Sequence, residues 1–137
     1  MTKILLNKCI ENALALFEEL KGEFYPFGMV MFNDEDVSPY YVQMEEEFPS
    51  SDVVLKKLTH DLFKDITNEK YKGAATCALA TKSIDNLKYD FLDIKLITSE
   101  GIQKDYCVII DPDYKKYTFT LIEVMEFKGT FSITATI

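Results

Sequence analysis

The chain has no arginine, no tryptophan and a single histidine in its 137 residues. Without arginine there is no planar fork for bidentate recognition of phosphate, carboxylate or guanine, and arginine-finger chemistry is excluded. Fifteen lysines face 23 acids, a formal net charge of -8, so a polyanion such as nucleic acid is excluded as the expected partner. His60 would have to carry any histidine chemistry alone. The three cysteines, Cys9, Cys77 and Cys107, are widely spaced, form no CxxC pair and cannot compose a zinc set with one histidine. Such usage suits a reducing cytosol. Five glycines form neither a GxGxxG nor a P-loop, and there is no GxSxG elbow. The longest unbroken apolar runs are four or five residues, against the roughly 20 needed to span a bilayer. The run that opens the chain breaks at Asn7 with no small-residue cleavage site, so no signal peptide is expected. The expectation is a cytoplasmic protein with no metal, no cofactor, no nucleic acid and no membrane among its partners.

With 47% hydrophobic and 28% charged residues, the composition is that of one folded domain spanning 1–137. Leu6, Cys9, Ile10, Ala13, Phe17 and Leu20 recur at three- and four-residue steps and predict a helix over Lys3 to Lys21, with Thr2 as cap and Gly22 as stop. Phe24 to Phe32 reads as a strand apolar on both faces, with Pro26 demanding an edge or a bulge. A turn at 33–36 and a short strand from Val37 to Met44 follow. A second helix is expected over Asp52 to Asn68, capped by Ser51, with Leu55, Leu58, Leu62 and Ile66 facing the core. Beyond Gly73 the period becomes two. Ala74–Lys82, Tyr89–Thr98, Gln103–Asp111, Tyr117–Phe127 and Thr130–Ile137 read as strands separated by turn residues. The order α-β-β-α-β-β-β-β-β predicts an α+β fold: two helices packed on one face of a curved, mainly antiparallel sheet of about six or seven strands.

Charge is unevenly spread. Residues 1–50 hold three lysines against ten acids, while residues 51–137 are nearly balanced. The excess gathers in Asp34, Glu35 and Asp36 and in Glu45, Glu46 and Glu47, which bracket Tyr40 and Tyr41. Acidic turns are commonly just solvated. Triplets of like charge beside tyrosines are also how a recognition patch for a basic protein is built, with acids steering and tyrosines giving rigid contact area. Other constellations are weaker. From Asp34 the calcium-loop template finds Asp36, Ser38 and Glu45 in place, but Pro39 stands where glycine is needed. Asp90 and Asp93 have odd spacing, which sends them to opposite faces of a strand, and Asp111 and Asp113 flank a turn proline. Cys77 and Cys107 sit in apolar strands that blunt a thiol, so a Cys-His dyad with His60 is not favoured. Nothing here names an enzyme. A ligand pocket between helices and sheet, using Tyr25, Met29, Met31 and His60, is the alternative to a protein-binding arm. The uncharged strand Thr130–Ile137 also offers an edge through which copies could pair.

The stretch Gly22-Glu23-Phe24-Tyr25-Pro26-Phe27-Gly28, after an amphipathic helix, resembles small uncharacterised bacterial proteins that open with a similar YPFG strand. An Ala-rich strand and a pair of core strands follow in those proteins, as Ala74–Thr81 and Asp90–Ile110 do here. The resemblance brings no catalytic residues. In size, charge and build the chain is also similar to the immunity proteins that bacteria pair with toxins. What that resemblance implies is a non-enzymatic inhibitor of a basic partner protein.

Overall fold

The computed structural model describes residues 2–20, 24–84, 86–110, 118–124 and 130–136. Two helices, α1 (Thr2–Glu19) and α2 (Ser51–Thr67), accompany seven strands: β1 (Phe27–Met31), β2 (Val37–Tyr40), β3 (Gly73–Ile84), β4 (Leu87–Thr98), β5 (Gln103–Ile110), β6 (Thr118–Val124) and β7 (Thr130–Thr136). The class is α+β. All neighbours in the sheet order β2-β1-β3-β4-β5-β6-β7 are antiparallel. From β3 onward each strand pairs with the next in sequence, as a meander, and β3–β4 and β4–β5 are joined by turns. Asn86 and Gly101 adopt positive φ, 67° and 88°, in these two turns. Expected turns at 111–113 and 128–129 lie outside the described residues, as do Gly22 and the last residues of several expected strands.

The first two strands break the sequential order. β1 sits between β2 and β3, so β2 and β3 run parallel and the chain between them must cross β1. Two strand spacings are about 10 Å, one helix diameter. α2 fills that crossing and lies over β1. Gly28 permits the approach: a Cβ there would come within 2.9 Å of a Leu62 methyl and 3.2 Å of a Leu58 methyl.

The helices were expected on one face; they lie on opposite faces. Leu5, Leu6, Cys9, Ala13 and Leu14 of α1 pack against Phe27, Met29, Met31, Cys77 and Ile94. Leu58, Leu62 and Ile66 of α2 pack against Val30, Ala74 and Tyr71. The reason is in β1, all five residues of which are buried. Its two parities are both apolar, so a single covering layer would leave one row wet, at roughly 1.5–3 kcal/mol for each large side chain.

Smaller departures have local causes. Ser50, not Ser51, caps α2, accepting a hydrogen bond from the Val53 N–H, and Val54 joins the buried stripe while Leu55 is only half-buried. Thr2 is already helical. β2 ends at Tyr40, short of Met44, because β1 begins only at Phe27: Pro26 has no N–H to extend the ladder.

Candidate partner-binding site

The arm that the sequence singles out is the β1–β2 hairpin and the chain leading from it to α2. Its turn is internally tied. The Phe32 N–H donates to the Asp36 carbonyl (2.8 Å), the Glu35 N–H to the Phe32 carbonyl (2.9 Å), and the Asp36 N–H to Asp34 Oδ1 (3.2 Å). Glu35 takes a positive φ of 71°. Lys72, just before β3, donates from Nζ to Glu35 Oε1 at 2.7 Å and from its backbone N–H to the Met31 carbonyl at 2.8 Å. The hydrogen bond from Lys72, and then its charge, hold the Glu35 carboxyl below its usual range. Asp34 thus ties the turn to itself, and Glu35 fastens it to the body of the molecule.

Tyr40 and Tyr41 do not act as a pair. Successive residues of extended chain face opposite ways, and the arm is the sheet edge, so each ring rests on a different helix layer. Tyr40 is half-buried against the α2 core, where burial, then the nearby Asp61 and Asp65, push its hydroxyl pKa up. Tyr41 stays 55% exposed. Its hydroxyl accepts from Asn12 Nδ2 of α1 at 3.2 Å, and its ring stands 6.1 Å from that of Phe27.

Glu45, Glu46 and Glu47 are different. All three are exposed, and among the described residues no ion pair engages them. Phe48 follows at 83% exposure, the most exposed large apolar side chain described. Two residues later the N-cap of α2 begins, and Ser51 forms part of the rim of an open groove of about 680 Å³ lined by Leu20, Phe24, Tyr25 and Leu79. Leu20 and Tyr25 are each about half exposed. The groove lies where β1 begins. Asp34–Asp36 lie at the other end of that strand, about 17 Å away by strand rise. The two acidic triplets thus lie apart, and 45–47 is the one whose chain runs on to the rim of the groove at Ser51.

The residues of the alternative pocket are also dispersed. Met29 and Met31 are buried on the α1 face. His60 projects from α2 with its side chain 76% exposed, its Nδ1 3.5 Å from Asp61 Oδ1. The sheet separates them, and it separates His60 from Cys77, which is buried against Cys9. A slot does exist between α2 and the sheet, lined by Thr59, Leu62, Phe63, Thr76 and Lys95, but it holds about 70 Å³. Small-molecule sites run to 300–1,000 Å³. Asp90 accepts from Thr81 Oγ1 at 3.0 Å and has no common face with Asp93. Among the described residues no three His, Cys, Asp or Glu side chains gather as metal ligands, and no helix is long and apolar enough to cross a membrane.

Phe48, Leu20, Phe24 and Leu79 are not among the site residues that the sequence suggests. Phe48 carried a usable signal: an aromatic residue between three glutamates and a proline, with no strand or helix to bury it. Compared with protein-family models, curated protein sequences and solved structures, the chain matches none.

Proposed function

We propose that this chain is a non-enzymatic binding protein that takes a basic partner protein, in the manner of a bacterial immunity-type inhibitor. The acidic, tyrosine-bearing arm 34–47 steers the partner, and the 45–48 loop with its groove seats it. One observation carries the reading: three exposed glutamates, engaged by no ion pair among the described residues, and an 83% exposed phenylalanine lie on the chain that runs into Ser51, at the rim of the groove of Leu20, Phe24, Tyr25 and Leu79. Exposed acids raise the encounter rate with a basic surface, whereas apolar contacts in a pocket slow its departure.

The test begins with capture from lysate of the source cells at low and at moderate salt, followed by kinetics on the protein captured. Replacing Glu45, Glu46 and Glu47 with serine slows association and flattens its salt dependence. Phe48→Ala leaves association alone and raises the dissociation rate, by about tenfold for a lost aromatic anchor of 1–2 kcal/mol. Serine at Asp34 and Asp36 slows association less than the triple-serine change and leaves dissociation alone, since that triplet lies at the far end of β1 from the groove. Unchanged rates in both the triple-serine variant and Phe48→Ala would overturn the reading.

A further inference from the structure

A sheet has two edges, and this one treats them differently. β2, at one edge, is four residues long and includes Pro39, which has no N–H to offer a passing strand. Acidic residues follow it and precede it. Short length, proline and charge are the devices by which proteins keep an edge from pairing. β7, at the other edge, has none of them. Its seven residues, Thr130-Phe131-Ser132-Ile133-Thr134-Ala135-Thr136, include no charge and no proline. They pair along their whole length with β6, from Val124↔Thr130 to Thr118↔Thr136. Among the described residues nothing pairs with the outer side of β7.

We propose that β7 pairs with β7 of a second copy, antiparallel across a two-fold axis, so that the two sheets become one. A two-fold contact requires a surface complementary to itself, and an uncharged strand laid antiparallel to its own copy meets that requirement along its full length. The charge distribution supports this occupant over others. The acidic arm is on β2, six strand spacings or about 29 Å from β7, several times the ~8 Å screening length at physiological salt. Two molecules that each bear -8 can therefore meet through β7 with their acidic arms at the far ends of the joint sheet. The pair would present two binding arms facing apart. A basic protein partner has nothing on β7 to attract it.

Pairing centred on Ile133 sets Ser132 of one copy beside Thr134 of the other. Sedimentation equilibrium of the full chain, from micromolar to millimolar loading, is expected to show mass rising from 15.8 kDa to twice that value. The double variant S132K/T134K brings four lysines together at the axis and is expected to stay monomeric, as is S132E/T134E. An equimolar mixture of the two recovers the dimer. A wild-type chain that stays at 15.8 kDa at millimolar loading overturns the proposal, and so does a dimer that persists in S132K/T134K. With both variants melting as the wild type does, a mixture that fails to recover the dimer also overturns it, because opposite charges set side by side at the axis would then have failed to restore the pairing. Serine at Glu45, Glu46 and Glu47 leaves the dimer intact, which keeps this test separate from that of the arm.

Discussion

Two carboxylates show opposite relations between site and charge. Glu35 is stabilised as an anion by Lys72, whereas Asp93, half-buried on β4, is destabilised as one. Burial raises the Asp93 carboxyl above its ordinary 3.8; Lys95 lowers it and Asp105 raises it further. A carboxyl whose folded pKa exceeds its unfolded value weakens the fold while ionised. That penalty is complete above the raised folded pKa and absent below about 3.8. Asp93→Asn should therefore melt higher than the wild type at pH 7, with the advantage shrinking as pH falls through the raised pKa and vanishing near pH 3. Thermal melts across that range check it, and a constant offset would show that packing, not charge, sets the difference.

The turn elements make a cleaner backbone test. Gly101 closes the β4–β5 turn at φ 88°, and a Cβ there would touch nothing within 4 Å. With no clash to relieve, Gly101→Ala should cost only the strain of holding a Cβ at positive φ, about 1 kcal/mol, read as a lower urea midpoint with an unchanged slope. Such elements were legible in the sequence because their causes are local: glycine in a turn, alternation in a strand, a three-to-four repeat in a helix. Where two neighbours satisfied the same local rule, the sequence could not choose between them. Ser50 and Ser51 can both cap a helix, and Val54 and Leu55 both continue a stripe through Leu58. The charge clusters were legible too. What hid their roles was distance along the chain, since Lys72, which occupies Glu35, lies 37 residues away.

At the scale of the molecule, the face on which a helix packs is a tertiary decision. The strand over Phe24–Phe32 was already readable as apolar on both sides, and two-sided burial follows from that, yet a helix stripe does not name its sheet face. The result puts β1 under cover above and below, with ladders to β2 and β3 on either side. Its amides, from Phe27 to Met31, should exchange with deuterium last, at rates that track global unfolding rather than local opening. Exchange of β1 ahead of β4 would contradict this. The same two-sided sheet also divides the history open to the protein. The α1 layer and the α2 layer pack as separate clusters on opposite faces of the sheet, so a substitution deep in one reaches the other mainly through the strands between them. Each layer can then drift through its own series of compensating changes, and relatives of this chain can keep one half of the interior recognisable after the other has become unrelated.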